Sequence, residues 1–240
     1  MKLTSKILTA MLLLFIAGLF VSNSILKNEY DKVDKNDLYW TYGKILEQPF
    51  SHIKIEGGNI TKIAFEQSDK SSVRIFKDWE GYEKGTVKAS VKNDTLFLEF
   101  PNTYRDIFEK DWMGWNTLVR VFSPQLLSFT GNDTKFEMFK TKQKNMSVNL
   151  TGKSEFELES MSPEFDSLHI VQSDSSAVVF EMSPDYKISE TFHVKYVDAD
   201  LKDVSFLDIG HGQIDSLKLN ITDSSGILLS GGTLKKKQRH

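Results

Sequence analysis

The sequence predicts an all-β fold, a single-stranded β-solenoid or β-helix-like stack with an aromatic capping segment, preceded by an N-terminal signal or membrane anchor. Short runs of alternating apolar and polar residues fill most of the chain from position 50 to position 234. A polar phrase recurs between such runs, at residues 67–73 (QSDKSSV), 172–178 (QSDSSAV) and 222–227 (TDSSGI). Repetition of strand, polar turn and strand is typical of stacked β architectures.

The recurring phrase predicts the corners between strands. Asp and Ser side chains hydrogen-bond nearby backbone groups and tolerate tight turns. A different turn is predicted at residues 92–95 (KNDT), because alternating runs flank it on both sides as in a β-hairpin. Residues 104–115 interrupt the alternation, and their aromatic and charged composition is compatible with one short helix.

Four apolar–polar–apolar triplets predict stacked rungs. They lie at residues 148–150, 168–170, 192–194 and 217–219, with spacings of 20, 24 and 25 residues. Similar spacings are expected if each turn of a coil returns to the same wall, where rungs stack about 4.8 Å apart. The first residue of each triplet is expected to point inward, since successive strand residues face opposite sides. The middle residues then form one solvent-facing column of Asn149, His169, His193 and Lys218.

The first residues predict export. Lys2 and Lys6 form a positively charged region in front of an apolar run at residues 7–21, which is shorter than the roughly 20 residues of a comfortable membrane span. Small polar residues at 22–24 complete the pattern of a secretory signal, and an uncleaved membrane anchor is the alternative. We expect a signal or anchor at 1–24, a linker at 25–48, the β-solenoid domain at 49–234 and a basic tail at 235–240. The domain is then periplasmic or attached to the cell envelope.

The composition excludes several classes of function. The absence of cysteine excludes disulfides, thiolate metal sites and a cysteine nucleophile. The net charge of −3 gives no nucleic-acid signature, and the sequence has no glycine-rich phosphate loop. No cofactor is expected. A membrane is expected as a partner only through the N-terminal segment.

An aromatic cluster has two interpretations. Its members are Trp79, Tyr82, Tyr104, Trp112 and Trp115. The end of a stack of strands exposes unpaired backbone groups that must be covered, which favours a cap. The alternative is a surface on which a sugar or a partner docks, with Trp112 and Trp115 as ligand-binding residues.

Metal binding and acid catalysis are weaker alternatives. His169 and His193, with Asp198 or Asp200, supply the side chains of a zinc site but leave its ligand count incomplete. The acidic stretch from 198 to 208 offers oxygen ligands for calcium but lacks the pattern of an EF-hand loop. Paired carboxylates for sugar cleavage must lie about 5–10 Å apart, and a β-helix enzyme with Asp198 and Asp200 in a groove remains an alternative. A metal site is not expected.

Several segments together resemble the putative auto-transporter adhesin, head GIN domain family. They are residues 49–58 (PFSHIKIEGG), 64–69 (AFEQSD), 72–75 (SVRI), 91–96 (VKNDTL), 119–124 (VRVFSP) and 126–129 (LLSF). The resemblance covers about residues 49–234 and implies a β-solenoid of the bacterial envelope, common in the Bacteroidetes group. The family has no established catalytic residue to carry over. This chain departs from it in the bulky aromatics at 104–115 and the few glycines at its corners.

The sequence therefore predicts an exported, non-enzymatic binding or adhesion module for a glycan or an envelope protein. Its expected ligand-binding residues are Trp112, Trp115, Asn149, His169, His193 and Lys218. A structural scaffold that docks a partner through its aromatic end is the remaining alternative.

Overall fold

A computed structural model describes residues 3–59, 61–79, 84–101, 116–139, 141, 144–160, 164–182, 193–210 and 213–229. The chain forms two compact units, Met1–Thr41 and Tyr42–His240. The predicted segment 104–115 and the basic tail 235–240 lie outside the described residues, as do Trp112, Trp115 and Phe192.

The first unit contains one long apolar helix, α1 (Leu3–Asp31), none of whose residues is buried. Its length and apolar composition are sufficient for it to cross a membrane. At 1.5 Å per residue its 29 residues extend about 43 Å, more than the hydrocarbon core of about 30 Å. The helix continues past positions 22–24 to Asp31. Because of its length, its apolar composition and its position near the N-terminus, α1 fits either a signal sequence or a membrane anchor.

The second unit is built from β-strands in two mixed sheets. In the order of pairing, the nine-strand sheet contains β1 (Tyr42–Leu46), β4 (Ser72–Phe76), β7 (Thr117–Ser123), β3 (Lys62–Gln67), β9 (Lys135–Phe139), β11 (Glu155–Ser160), β13 (Ala177–Met182), β15 (Phe206–Ile209) and β17 (Gly226–Leu229). The eight-strand sheet contains β16 (Gln213–Ile221), β14 (His193–Leu201), β12 (Glu164–Gln172), β10 (Asn145–Thr151), β8 (Ser128–Asn132), β2 (His52–Glu56), β6 (Thr95–Glu99) and β5 (Lys88–Lys92). These strand counts refer to the described residues. The prediction of a mostly β protein is confirmed.

From β8 onward, consecutive strands alternate between the two sheets, and each strand lies parallel to the strand two places later. The pair β8 and β9 is followed in this way by four further pairs, which end with β16 and β17. On the other side of β8 and β9 lie β2 and β3, and beyond them β6 and β7. The spatial order of these first pairs therefore differs from their order in the sequence.

Antiparallel strands at the beginning of the second unit depart from the predicted single-stranded stack. β1 and β7 both run antiparallel to β4, and β5 runs antiparallel to β6. The predicted hairpin between β5 and β6 is confirmed. Its two central residues, Asn93 and Asp94, have φ values of 49° and 60°. Two successive positive φ angles are the signature of the type I′ turn, whose twist matches that of the flanking strands.

The inner faces of the two sheets form the core. Alternation along each strand turns one set of side chains inward, and Phe129, Phe136 and Phe156 meet there with 0 % exposure. The rings of Phe129 and Phe136, which come from opposite sheets, stack with their centroids 4.1 Å apart. Each such side chain contributes about 1.5–3 kcal/mol through burial alone. The aromatic stack therefore holds the two sheets together.

From β8 onward, each turn from the eight-strand sheet to the nine-strand sheet contains one residue in the left-handed conformation. After β8, β12, β14 and β16 it is an aspartate, with φ between 51° and 59°: Asp133, Asp174, Asp203 and Asp223. After β10 it is Gly152, with φ of 65°. Asp tolerates this conformation better than most residues. The few glycines at these corners are thereby explained.

The corner residues are linked to one another by hydrogen bonds. The backbone N–H of Gly152 donates to Asp174 Oδ2 at 2.9 Å, and that of Asp174 donates to Asp203 Oδ2 at 3.0 Å. The N–H of Asp203 donates to Asp223 Oδ2 at 3.4 Å. We call this chain of contacts the aspartate ladder. It connects neighbouring corners in addition to the backbone pairing of the strands.

The three copies of the polar phrase are not equivalent. The copies at 172–178 and 222–227 are corners between the sheets, as predicted. The copy at 67–73 joins β3 to β4, and both of these strands lie in the nine-strand sheet with opposite directions relative to β7. This turn reverses the chain within one sheet. Asp69 accordingly is not among the residues with positive φ.

We predict that the Asp203→Ala substitution lowers the free energy of unfolding by about 2 kcal/mol. It places a Cβ-bearing residue without a polar side chain in the left-handed region and removes the hydrogen bond to Asp174. Asp203→Asn is the matched control and is expected to change stability by less than about 0.5 kcal/mol, since Asn retains an acceptor and tolerates this φ. Urea denaturation measures both. Equal losses in the two variants would contradict the assigned role of the corner.

Candidate functional site

The outer face of the eight-strand sheet carries an in-register line of mostly polar residues, here called the polar row. Strand pairing places one residue from each of seven strands in this line. Adjacent members are separated by one strand spacing of about 4.8 Å. In order across the sheet the row consists of Thr95, His52, Ser128, Ser147, His169, Asp198 and Lys218.

Contacts between neighbouring strands position side chains at both ends of the polar row. His52 Nδ1 lies 2.6 Å from Ser128 Oγ, within hydrogen-bonding distance. At the other end, Lys218 Nζ donates to Asp198 Oδ2 at 3.1 Å, and His169 Nδ1 lies 3.7 Å from the same oxygen. The contact with Asp198 raises the pKa of Lys218. The side chains of His169 and Lys218 nevertheless remain 52 % and 69 % exposed, so both are accessible to a ligand.

A second line of outward residues runs beside the polar row. Asn149 lies in it, in register with Val171, and is followed by Asp200 and Asn220. Asn220 Nδ2 donates to Asp200 Oδ1 at 3.1 Å, and Lys202 Nζ lies 3.1 Å from Asp200 Oδ2. The face therefore continues to offer hydrogen-bond donors and acceptors beyond the polar row.

Charged pairs also occupy the amino-terminal ends of β12, β14 and β16. His193 Nε2 lies 3.1 Å from Asp215 Oδ2. Lys195 donates to Asp166, and this hydrogen bond is the main cause of the lowered pKa of Asp166. His193 is in register with Glu164 and Gln213.

The predicted column of Asn149, His169, His193 and Lys218 is therefore wrong in register. His169 and Lys218 share the polar row, but Asn149 lies in the neighbouring line and His193 lies five positions before Asp198 on β14. The residue between His169 and Lys218 is Asp198. The error arose because residues 192–194 and 197–199 both fit an apolar–polar–apolar pattern, while the alternation is interrupted between them at two consecutive exposed positions, 195 and 196.

The corner residues supply the register signal that the triplets lack. The separation of 29 residues between Asp174 and Asp203 equals that between His169 and Asp198. The separation of 20 between Asp203 and Asp223 equals that between Asp198 and Lys218. Adding the corner-to-corner separation of 29 residues to His169 therefore identifies Asp198 as the next member of the polar row.

The aromatic cluster is described only at its first member. Trp79 is 3 % exposed, and its ring centroid lies 6.4 Å from that of Phe100. This burial agrees with a covering role for Trp79. The ligand-binding role predicted for Trp112 and Trp115 concerns residues outside the described ranges and stays a prediction.

The acidic residues proposed as metal or catalytic groups are dispersed. Asp198 and Asp200 lie on β14, Asp203 is a corner, and Asp208 lies on β15 in the other sheet, where its Oδ1 accepts from the N–H of Gly210. Within the described parts of the chain, no group of three or more His, Cys, Asp or Glu residues has an arrangement that could hold a metal ion. Asp174 and Asp223 belong to the aspartate ladder.

The nine-strand sheet carries a different arrangement, a buried ion cluster that sequence reasoning missed. Glu137 and Glu157 are paired across β9 and β11, and each side chain is only 7 % exposed. Lys62 Nζ lies 2.8 Å from Glu157 and 3.5 Å from Glu137. Lys135 Nζ lies 2.7 Å from Glu155 and 3.5 Å from Glu157. Two lysines thus neutralise carboxylates that burial would otherwise disfavour.

The pKa directions follow from this geometry. Burial alone would raise the pKa of Glu157, but the hydrogen bond and charge of Lys62, with the charge of Lys135, lower it below its ordinary value of 4.5. For Lys62, burial opposes the charged form, and its contacts with Glu157 and Glu137 outweigh this and raise its pKa above 10.5. The cluster therefore stabilises the folded state between these limits and weakens in acid and in strong alkali.

Comparisons with known proteins give limited information. No protein-family model and no curated protein matches the chain. A solved structure described as a putative adhesin from Bacteroides fragilis NCTC 9343 is 14 % identical, aligns over 79 % of this chain and 94 % of its own, and has a TM-score of 0.42. A putative adhesin from Parabacteroides distasonis ATCC 8503 is 14 % identical, aligns over 80 % of this chain and 94 % of its own, and has a TM-score of 0.38. A putative lipid binding protein from the same strain is also 14 % identical, aligns over 78 % of this chain and 95 % of its own, and has a TM-score of 0.36. These scores are too low to transfer any property of those proteins, and the resemblance to the head GIN family stays a prediction.

We predict that Lys62→Met lowers the free energy of unfolding by about 2–3 kcal/mol at pH 7. Removal of one partner leaves a carboxylate buried, which costs about 3–5 kcal/mol in a fully buried pair, and Lys62 is 26 % exposed. The deficit should narrow below about pH 5. With the lysine absent, burial favours protonation of Glu157, whereas the wild-type cluster loses its own stabilisation only as the pH falls through the lowered pKa.

Lys54→Met is the matched control for this prediction. Lys54 pairs with Glu56 at 3.3 Å, but the two side chains are 45 % and 35 % exposed. An exposed pair contributes less than about 1 kcal/mol. Urea unfolding between pH 4 and pH 8 measures both variants. Equal losses at pH 7, or a deficit of Lys62→Met that is independent of pH, would contradict the assignment of the cluster.

Proposed function

We propose that this protein is an exported, non-enzymatic binding module of the bacterial envelope whose strand pairs form a β-solenoid and whose polar row binds a glycan chain. The observation that supports this most directly is the register of the row, in which seven neighbouring strands each present one residue at the same height. With six spacings of about 4.8 Å, the row is about 29 Å long.

A row of this kind suits an extended polymer. The row combines histidine, hydroxyl and lysine donors with hydroxyl and aspartate acceptors, and sugar hydroxyls both donate and accept hydrogen bonds. Each contact with an exposed group is weak. Once one sugar unit of a glycan is bound, the next units of the same glycan are held close to the row at a high effective concentration. Several weak contacts can therefore add up to a useful affinity.

The row is also preorganised. Asp198 is held by Lys218 at 3.1 Å, and the backbone beneath it is paired to strands on both sides. A ligand therefore has to order few side chains on binding, which reduces the entropic cost of association. This favours recognition by a rigid surface over closure of a loop.

The same contacts favour binding over catalysis. A glycosidase needs one carboxyl group that keeps its proton near neutral pH. On this face Asp198 is paired with Lys218, Asp200 is paired with Lys202, and the pKa of Asp166 is lowered by Lys195. These carboxylates are arranged as acceptors, which is the role that sugar binding requires.

The N-terminal helix supports export. α1 has the length and composition of a signal sequence or of a membrane anchor, and either role delivers the second unit beyond the inner membrane. We place the binding domain, residues 49–234, in the periplasm or at the cell envelope. The envelope glycan is then the accessible ligand class.

We predict that the double variant His169→Ala/Lys218→Ala weakens binding to a glycan polymer by about tenfold or more. Each substitution removes an exposed donor of the row, and each hydrogen bond lost to the glycan is expected to weaken binding severalfold. Affinity electrophoresis and biolayer interferometry with soluble peptidoglycan strands, dextran, xylan and mucin glycans measure the effect on the full chain.

The matched control is His193→Ala/Lys195→Ala, which removes the same residue types from β14 outside the row. It should bind within about twofold of the wild type. Equal losses in both double variants would remove the row as the site, and failure of every polymer to bind the wild type would overturn the proposal. Release of new reducing ends during incubation would contradict the non-enzymatic assignment.

A further inference from the structure

A cavity of about 520 Å³ lies where four turns of the second unit meet. Its walls come from the segment before β2, the turn between β3 and β4, the hairpin turn between β5 and β6, and the connection between β7 and β8. All its lining residues lie within the described ranges. The volume falls within the range of about 300–1,000 Å³ that is typical of small-ligand sites.

Backbone and buried hydroxyl contacts fix these turns relative to one another. The N–H groups of Ser51 and His52 both donate to the carbonyl oxygen of Asp94 at 3.1 Å. The N–H of Ser68 donates to the carbonyl of Ser123 at 3.0 Å, and the fully buried hydroxyl of Ser123 donates to the carbonyl of Phe50 at 2.6 Å. The cavity is thus formed by a rigid framework.

Three of the polar side chains that line the cavity are not used by this framework. Asp69, Asp94 and Gln125 are exposed, and their side chains make no hydrogen bond or ion pair with any residue that the structure describes. Lys70 adds a donor to the same wall, whereas the Ser71 hydroxyl lies 3.2 Å from Ser123 Oγ and belongs to the framework. The rings of Pro49 and Pro124 add apolar surface.

This lining has the chemistry of a saccharide site. Carboxylate and amide oxygens accept hydrogen bonds from sugar hydroxyls, while ammonium and hydroxyl groups donate to them. Proline rings offer contact surface to the C–H face of a pyranose. Glu47 is neutralised by Lys44 at 2.5 Å. Among the other lining residues Asp69 and Asp94 outnumber Lys70, so the cavity keeps a net negative charge that disfavours an acidic ligand.

We infer that this cavity binds a single neutral sugar residue. The site goes beyond the proposed function, because no member of the polar row lines the cavity. Binding of a polymer by the row and binding of a monosaccharide by the cavity can therefore be measured and can fail separately.

The test uses the full chain in a detergent without a sugar headgroup. Methyl glycosides of glucose, galactose, mannose and N-acetylglucosamine are titrated at millimolar concentration by isothermal calorimetry and NMR, with methyl glucuronide as the acidic counterpart. At least one neutral glycoside is expected to bind and to perturb amide resonances at residues 69–71 and at Gln125. The glucuronide is expected to bind at least about tenfold more weakly, which corresponds to about 1.4 kcal/mol.

Two variants connect binding to the cavity. Asp69→Ala and Gln125→Ala should each weaken the neutral glycoside by about tenfold, since each removes hydrogen bonds to the sugar. Asp78→Ala is the matched control, because Asp78 is exposed in a turn and does not line the cavity. It should leave affinity unchanged, and the melting temperatures of all three should agree with that of the wild type. Absence of binding by every neutral glycoside, equal binding of the glucuronide, or an equal loss in Asp78→Ala would overturn the inference.

Discussion

The pairing register between each strand and the strand two places further along the chain decides which side chains reach the core and which reach solvent. Because side chains alternate along a strand, a slip of one residue would turn every inner residue of that strand outward. In the observed register Phe129, Phe136 and Phe156 meet inside with 0 % exposure. The same register aligns His169, Asp198 and Lys218 outside. Core and candidate site are therefore two results of one constraint.

The corners help to hold this register. Each left-handed aspartate accepts a hydrogen bond from a backbone N–H of a neighbouring corner, so the aspartate ladder sets the relative position of successive turns. Each corner follows a strand of the eight-strand sheet and precedes a strand of the nine-strand sheet. A fixed corner consequently fixes both sheets. Gly152 shows how tight this packing is, since a Cβ there would lie 2.4 Å from Asp133 Oδ1.

The two outer faces have different electrostatic environments. On the nine-strand sheet, Glu137 and Glu157 are buried and neutralised by lysines from β3 and β9. On the eight-strand sheet, the charged groups of the polar row remain accessible, with Lys218 69 % exposed. The first arrangement contributes mainly to stability, and the second leaves polar groups available to a ligand. This difference is the reason for placing the proposed glycan site on the eight-strand sheet.

Local features of the fold were predictable, whereas pairing across long separations was only partly so. Alternation predicted the strands, the Asn93–Asp94 turn predicted the hairpin, and the phrases at 172–178 and 222–227 predicted corners. The phrase at 67–73 was misleading because the same polar residues also suit a reversal within one sheet. The predicted position of Asn149 was wrong because alternation has a period of two and cannot choose among registers that differ by an even number of residues. The predicted position of His193 was wrong because two consecutive exposed residues, 195 and 196, interrupt the alternation between it and Asp198.

The ion cluster was missed for a related reason. Lys62, Lys135 and Glu157 are far apart in the sequence and meet only through the pairing of β3, β9 and β11. Nor does any sequence pattern bring together the four turns that form the cavity. Sites of this kind follow from topology. Once the corner separations of 29 and 20 residues are used, however, the row of His169, Asp198 and Lys218 can be read from the sequence.

Disulfide formation in the cysteine-free chain tests the register most directly. In the double variant His169→Cys/Asp198→Cys, the two residues occupy paired positions on adjacent strands, about 4.8 Å apart, which is within the Cα separation that a disulfide spans. In His169→Cys/His193→Cys, the second cysteine lies five residues earlier on β14, about 17 Å along the strand. Mild oxidation and peptide mapping should find the 169–198 crosslink and not the 169–193 crosslink. The opposite result would show that the strands pair in the register that the sequence triplets suggested, and the polar row would not exist.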